Sequence, residues 1–228
     1  MIFLKGGRIV EFVPEGYPKY PKIETCFNRD KKFKVDENSI RLPEINNIKR
    51  WLVTEKIDGT SGRVIYDPNV GKVFYGGRTD RSDKNSYERL GIAKLLEEKF
   101  TLEKMREVFP DRVVTIFMEY YGEKINSSGN LRKGVSFRIF DVQVGDLWLE
   151  WESVKDIASK FEVKTVPEYG VVSFEEAVEI AKTCTSIVAQ EEIGRDDIPA
   201  EGIVCRTVPL LLQRNGKRLM FKLKKKDY

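Results

Sequence analysis

Short runs of β-branched and aromatic residues recur through the middle of this chain, and they constrain its fold more than any other feature. The first run is Trp51-Leu52-Val53, and turn signals such as Asp67-Pro68-Asn69 separate the runs that follow. We therefore predict strands of a mostly antiparallel sheet at residues 51–53, 63–66, 72–75, 113–118, 137–140, 202–205 and 219–223.

Three segments instead carry apolar residues at helical spacing. Residues 87–109 indicate two helices broken near Thr101, and residues 152–161 indicate another helix. Ser173, with Glu176 three positions later, is a capping-box pattern and predicts the start of a further helix. Because strands and helices do not alternate regularly, we predict an α+β fold, with antiparallel sheets flanked by helices.

The composition is that of a globular protein. The chain has 228 residues, of which 41% are hydrophobic, so it can bury a full-sized core, and no repeat or low-complexity linker divides it. We predict a single domain over residues 1–228, with residues 1–50 as an N-terminal extension packed on it or leading into it. No apolar run approaches the length of a membrane span and the first residues do not form a signal peptide, so we expect a cytoplasmic protein.

The chain contains no histidine, which excludes several kinds of catalytic site. Neither a histidine-based triad nor a histidine-ligated metal can form. The cysteines Cys26, Cys184 and Cys205 include no CxxC pair, so neither a disulfide framework nor a zinc site follows from them. Any catalysis must therefore use lysine, arginine, carboxylates and a cation that prefers oxygen ligands.

The run from Glu55 to Thr60, Glu-Lys-Ile-Asp-Gly-Thr, places a lysine beside a carboxylate and a glycine at the end of a predicted strand. A lysine amine becomes a nucleophile when burial and neighbouring cations favour its neutral form. Asp58 can hold a metal ion or an ammonium group, and Gly59 lets the backbone approach a phosphate closely. Taken alone, this run is better explained by a solvated turn.

Four further segments carry charged residues within or beside predicted strands. They are Glu119 inside an apolar run, Asp141 after an aromatic strand, Glu201 before a glycine, and the pair Lys222 and Lys224. The two lysines are two residues apart, so both project from one face of a strand. An edge strand, a core strand or a turn explains each segment separately, whereas their order along the chain is distinctive.

In this order, the Lys-x-Asp-Gly, Glu-x-x-Gly, Phe-Asp, Glu-Gly-Ile-Val and Lys-x-Lys segments resemble the motifs of the lysine-dependent nucleotidyltransferases. That superfamily contains ATP-dependent DNA ligases, RNA ligases and GTP-dependent mRNA capping enzymes, and the resemblance runs from Lys56 to Lys224. Glu-Lys-Ile-Asp-Gly-Thr and Phe-Met-Glu-Tyr-Tyr-Gly are most similar to RNA ligases of the bacteriophage type, which repair nicked RNA. The resemblance implies an ATP-grasp-like nucleotidyltransferase domain.

The resemblance also implies that Lys56 attacks the α-phosphorus of ATP and becomes a lysyl-AMP. Lys222 and Lys224 would favour the neutral amine and neutralise charge on the phosphate. Arg78 would contact phosphate and ribose, while Arg63 is an alternative whose position at a strand start fits less well. Such a mechanism needs no histidine, as the composition requires.

Further residues are implied for the nucleotide and for a metal ion. Glu119 would accept hydrogen bonds from the ribose, and Phe140 and Val204 would enclose the adenine. Glu55 and Ile57, which flank the lysine, would also contact the nucleotide. Mg²⁺ or Mn²⁺ would be held partly through water. Its implied ligands are Asp58, Glu119 and Glu201, of which Glu201 is also implied as catalytic.

The resemblance finally implies transfer of AMP to a 5′-phosphate end and joining of that end to a 3′-hydroxyl, on RNA or on DNA. The alternatives are a DNA ligase, a capping-type guanylyltransferase, and a module that binds nucleotides or ends without sealing them. Ser61 stands where bacteriophage-type ligases often carry asparagine, and no accessory OB-fold or helical domain is expected after Lys224. We expect basic surfaces at residues 29–34, 78–84 and 124–133 to hold the substrate.

Overall fold

The computed structural model describes residues 10–32, 34–80 and 90–228. The chain divides into two compact units. The first unit comprises Met1–Tyr20, Gly59–Gly129 and Lys133–Thr165, and the second comprises Pro21–Asp58, Asn130–Arg132 and Val166–Tyr228. Each unit therefore combines segments that are distant in sequence, and the expectation of a single domain stays a prediction. The predicted helix start near Tyr87 and part of the predicted basic surface at 78–84 lie outside the described residues.

Strands and helices both occur throughout the described residues, which confirms the α+β class. The strands are β1 (Val10–Phe12), β2 (Phe27–Arg29), β3 (Val35–Ile40), β4 (Trp51–Lys56), β5 (Thr60–Asp67), β6 (Lys72–Gly77), β7 (Val114–Gly122), β8 (Val135–Val144), β9 (Leu147–Trp148), β10 (Glu168–Val172), β11 (Gly202–Thr207) and β12 (Met220–Lys224). The α-helices are α1 (Ile92–Lys99), α2 (Leu102–Val108), α3 (Trp151–Lys160), α4 (Phe174–Thr183) and α5 (Ile187–Ile193). No helix among the described residues is long and apolar enough to cross a membrane.

The first unit is built on a six-stranded sheet with the order β1-β6-β5-β7-β8-β9. All neighbours are antiparallel except β1 and β6, which are parallel. Helices α1 and α3 pack against β8, and α2 packs against β6. Thr101 separates α1 from α2, as predicted, because its hydroxyl accepts a hydrogen bond from the Lys104 amide at 3.2 Å and caps α2.

The second unit contains an antiparallel sheet with the order β10-β4-β11-β12 and the separate hairpin of β2 and β3. Helix α4 packs against all four strands of the larger sheet. Its N-terminus has the predicted capping box, in which Ser173 and Glu176 bond each other's backbone amides. The apolar side of the sheet is filled by Trp51 and Phe221, whose ring centroids lie 4.8 Å apart.

Candidate active site

Lys56 is the last residue of β4, where the strand leaves the core of the second unit. The five residues before it are buried, whereas the Lys56 side chain is 22% exposed. Its ammonium group forms an ion pair and hydrogen bond with the Oε2 atom of Glu201. The predicted nucleophile and one predicted metal ligand are therefore in direct contact.

Glu201 also contacts a second predicted lysine. The Nζ atom of Lys224 lies 2.6 Å from its Oε1 atom. The strand register produces this bridge, because Gly202 pairs with Lys56 on one side and with Lys224 on the other. A Cβ atom on Gly202 would lie 2.1 Å from the carbonyl oxygen of Leu223, so only glycine permits this close approach of the strands.

Charges in this cluster shift the pKa values of two side chains. Burial acts to raise the pKa of the Glu201 carboxyl, but the charge of Lys56 and hydrogen bonds from both lysines outweigh it and lower the pKa below its usual range. Burial, followed by the charges of Lys56 and Lys224, lowers the pKa of Lys222. Glu201 thus pairs with two lysines, and Lys222 lies near both of them, so the excess of positive charge suits an anion.

Lys222 and Lys224 are both half-buried and project from the same face of β12, while the neighbours Phe221 and Leu223 are buried on the other. This confirms the alternation predicted from the sequence. Val204 lies opposite Lys222 in the strand register. The structure therefore brings together Lys56, Glu201, Lys222 and Lys224 within one sheet, with Val204 on the strand between.

The other predicted residues of the second unit flank Lys56 in sequence. Asp58 is half-buried in the bend after β4, and Ile57 is buried. Glu55 is 2% exposed, and its carboxylate accepts hydrogen bonds from the Ser186 hydroxyl at 2.5 Å and the Val188 amide at 3.0 Å. These bonds tie the end of β4 to the start of α5, and a contact between Glu55 and a nucleotide stays a prediction.

Ser186 was not predicted as part of the site. Its hydroxyl donates to Glu55 and accepts a hydrogen bond from the Ala189 amide at 3.1 Å, so it also caps α5. Helix α5 is short, and the partner of Ser186 lies far away in sequence. A serine before a short apolar segment was the only local signal.

The first unit carries the remaining predicted residues. Glu119 is half-buried in β7 and lies opposite Arg138 of β8 in the strand register. Phe140 is half-buried in β8, and its ring meets that of Tyr20 with 4.8 Å between centroids. Arg78 is exposed directly after β6.

Arg63, the alternative to Arg78, is almost fully buried in β5. Its guanidinium group pairs with Asp80 and donates a hydrogen bond to the carbonyl oxygen of Pro18 at 2.8 Å. These contacts pair the buried charge within the first unit, although the Nε atom has no hydrogen-bond partner among the described residues. They favour a structural role for Arg63. Of the two candidate arginines, Arg78 is therefore the one whose side chain is exposed and can meet a phosphate.

The predicted metal ligands are divided between the units, with Asp58 and Glu201 in the second and Glu119 in the first. Within the parts of the chain that the structure describes, no three Asp, Glu or Cys side chains gather in a ready-made metal site. Glu201 instead uses both carboxylate oxygens for lysines.

Comparison with known proteins identifies the family. The family model for RNA ligases matches residues 49–224, a range that includes the whole lysine cluster. The chain belongs to the RNA ligase family. This confirms the predicted resemblance to RNA ligases at the level of the family. None of the curated proteins matches the chain.

Solved RNA ligase structures from Naegleria gruberi share the fold. An apo mutant has a TM-score of 0.63 and 20% identity, over 96% of this chain and 58% of that one. A complex with pyrophosphate has a TM-score of 0.61 and 20% identity, over 98% and 60%. A mutant with AMP and manganese has a TM-score of 0.62 and 19% identity, over 98% and 60%. The chain thus spans 58% to 60% of the length of these structures.

Proposed function

We propose that this chain is an ATP-dependent RNA ligase of the bacteriophage type that works through a covalent AMP on Lys56. The observation that carries the proposal is the cluster in which Glu201 holds both Lys56 and Lys224 beside Lys222. Membership of the RNA ligase family supports it. So does the composition, because the cluster provides a nucleophile and phosphate-binding cations without histidine.

In the first step, the neutral amine of Lys56 attacks the α-phosphorus of ATP. A phosphorus–nitrogen bond forms, the bond to the bridging oxygen breaks, and pyrophosphate leaves with the electron pair. Because the Lys56 side chain is 22% exposed, the proton that it must lose can pass to solvent. Lys222 and Lys224 lie beside Lys56 in the same cluster.

The same two lysines also stabilise the phosphate as its charge develops. The lowered pKa of Lys222 reflects burial and crowding by cations, and an anionic phosphate placed among them would relieve this crowding. Catalysis of phosphoryl-type transfer depends mainly on positioning and charge. A preorganised group of cations on one rigid sheet meets both requirements.

Asp58 and Glu201, both in the second unit, would hold Mg²⁺ or Mn²⁺ through oxygen donors, and Glu119 stays a predicted ligand. Both oxygens of Glu201 contact ammonium groups, which a hydrated divalent cation can replace as the positive partner. When bound, the metal would neutralise charge on the phosphates.

Several side chains are proposed to recognise the nucleotide. Glu119 would bind the ribose, Phe140 and Val204 would each contact the adenine, and Arg78 would contact a phosphate. Solved Naegleria gruberi RNA ligases contain ATP with manganese, AMP with manganese, or pyrophosphate. These are the substrate, the transferred group with its metal, and the leaving group of the proposed first step, which supports ATP as the substrate.

Two further transfers complete the proposed reaction. An oxygen of a 5′-phosphate attacks the phosphorus of the lysyl-AMP, the phosphorus–nitrogen bond breaks, and Lys56 regains its proton. A 3′-hydroxyl then attacks the activated 5′-phosphate, loses its proton, and releases AMP as the new phosphodiester forms. RNA is proposed as the substrate because the chain belongs to the RNA ligase family.

A panel of nicked duplexes tests this function. We expect sealing with ATP and Mg²⁺ when the 3′-hydroxyl strand is RNA, and loss of sealing in Lys56→Ala. A preadenylylated 5′ end should still be joined by Lys56→Ala, because that substrate bypasses the first step. Sealing by Lys56→Ala from ATP, or labelling of the protein by GTP instead of ATP, would exclude the proposal.

A further inference from the structure

A cleft of about 430 Å³ in the second unit begins at the lysine cluster. Five of its lining side chains are cationic and one is acidic. They are Lys22, Arg29, Arg41, Lys222 and Lys224, with Glu24 as the acid. Its volume lies within the range of small-ligand sites.

The chain before β4 forms the wall of this cleft. The backbone amide of Lys222 donates to the carbonyl oxygen of Glu24 at 3.0 Å, so the segment around Glu24 runs beside β12. Arg29 is in β2, and Arg41 directly follows β3. The cationic surface therefore continues from Lys222 and Lys224 onto elements that the proposed nucleotide chemistry does not use.

The ion pairs in this wall are exposed and exchangeable. Lys22 and Arg41 share Glu24, at 3.0 and 3.2 Å, and their side chains are 64% and 47% exposed. Exposed pairs of this kind contribute little to stability, so a phosphate can replace the shared carboxylate at small cost. Arginine in particular binds phosphate through two parallel hydrogen bonds.

Two neutral polar residues and the apolar Phe27 complete the lining. The Thr25 hydroxyl lines the cleft, and its oxygen is buried without a hydrogen-bond partner among the described residues. Asn28 also lines it, with an amide that donates to Ser39 at 2.9 Å. Burial is the main cause of the lowered pKa of Lys222, and the charge of Lys22 adds a smaller contribution to those of Lys56 and Lys224. The whole cleft thus presents positive potential to a polyanion.

We propose that this cleft binds backbone phosphates of the RNA strand to be sealed and leads that strand to Lys56. The inference rests on the proposed function. It joins Arg29, which is part of the basic surface predicted at residues 29–34, with Lys22 and Arg41 as RNA-binding residues. In the proposed function, the phosphates of ATP have Lys222 and Lys224 as partners. A row of cations extending beyond that cluster suits the successive phosphates of a strand.

The double variant Lys22→Gln/Arg41→Gln tests this proposal. Arg29 is left intact because it pairs with Asp227, which is only 10% exposed. The control, Lys182→Gln/Arg195→Gln, removes the same charge from two cations that pair with carboxylates elsewhere in the second unit. Binding of a 5′-phosphorylated single-stranded RNA to each protein is followed by fluorescence anisotropy over a range of salt concentrations, without ATP.

The logarithm of the RNA association constant falls linearly with the logarithm of the salt concentration, and each lost phosphate contact should make that slope shallower by about 0.7. The slope of the double variant should therefore be shallower than the wild-type slope by about 1.4. If the double variant and the wild type bind RNA equally at about 1 M salt, this change in slope makes the affinity of the double variant roughly 25-fold weaker at about 0.1 M salt. The control should keep both the wild-type slope and the wild-type rate of protein–AMP formation. Equal RNA affinity and slope in the two double variants would overturn the proposal.

A loss of adduct formation in Lys22→Gln/Arg41→Gln alone, with RNA binding unchanged, would also overturn it and assign the cleft to ATP. Failure of the wild-type protein to form an adduct would refute the chemistry at Lys56. The RNA-binding comparison would still decide the role of the cleft, because it needs no nucleotide.

Discussion

Replacing Glu201 with glutamine removes the central charge of the lysine cluster while keeping the shape of the side chain. Glu201, Lys56 and Lys224 are 15%, 22% and 26% exposed. Removing one partner lowers the free energy of unfolding by about 3–5 kcal/mol when the ion pair is fully buried, and by less than about 1 kcal/mol when it is exposed. The intermediate burial predicts a loss of about 2 kcal/mol in unfolding free energy. For a chain of this size the melting temperature should fall by roughly 4–8 °C.

The pH dependence of the stability difference between wild type and Glu201→Gln tests whether the Glu201 charge causes it. Because the pKa of Glu201 is lowered in the folded protein, its stabilising contribution is present above its unfolded-state pKa and is lost as the pH falls through the folded-state pKa. Calorimetric melts should therefore show the full difference between wild type and Glu201→Gln at pH 7, and a shrinking difference in acid.

A matched control is Glu179→Gln, since Glu179 contacts Lys182 but its side chain is 68% exposed. This change should leave the melting temperature nearly unchanged. The reasoning is refuted if Glu201→Gln melts like the wild type at pH 7, or if the difference between them does not depend on pH.

Three further perturbations test the framework around the cluster. Gly202→Ala places a Cβ atom 2.1 Å from the Leu223 carbonyl, so urea unfolding should show a loss of about 3 kcal/mol. Gly129→Ala, with no neighbour nearer than 3.9 Å, should cost far less, and equal losses would contradict this account. Ser186→Ala removes a donor to Glu55 and the cap of α5, and should cost about 1–2 kcal/mol; an unchanged urea midpoint would show that these bonds contribute nothing. Because the pKa of Lys222 is lowered, an arginine at this position in Lys222→Arg should stay charged to higher pH than the wild-type lysine. Single-turnover adenylylation by Lys222→Arg should therefore stay fast to higher pH. Identical alkaline profiles of the two proteins would argue against a role for that charge.

Local patterns in the sequence predicted the elements that carry the cluster. The alternation at Lys222 and Lys224 predicted β12, and the apolar run that begins at Trp51 predicted β4. The capping box at Ser173 located α4 to within a residue. These signals succeed because they depend on neighbours in sequence, which fix strand alternation and helix capping.

Several short elements were missed. The strands β2 and β10 and the helix α5 are short, and α5 is held partly by Glu55, more than a hundred residues earlier. The register that places Gly202 between Lys56 and Lys224 likewise joins three separate segments. No local pattern encodes a register between distant strands, so the bridge through Glu201 could be seen only in the folded chain.

The central claim is that Lys56 carries AMP covalently, and mass spectrometry of the intact protein tests it most directly. After incubation with ATP and Mg²⁺, the protein is denatured, weighed and digested, and the modified peptide is sequenced. We predict a gain of one adenylyl group on the peptide containing Lys56, and no gain in Lys56→Ala. An adenylyl group on another residue, or an unmodified wild-type protein that nevertheless binds ATP, would contradict the claim.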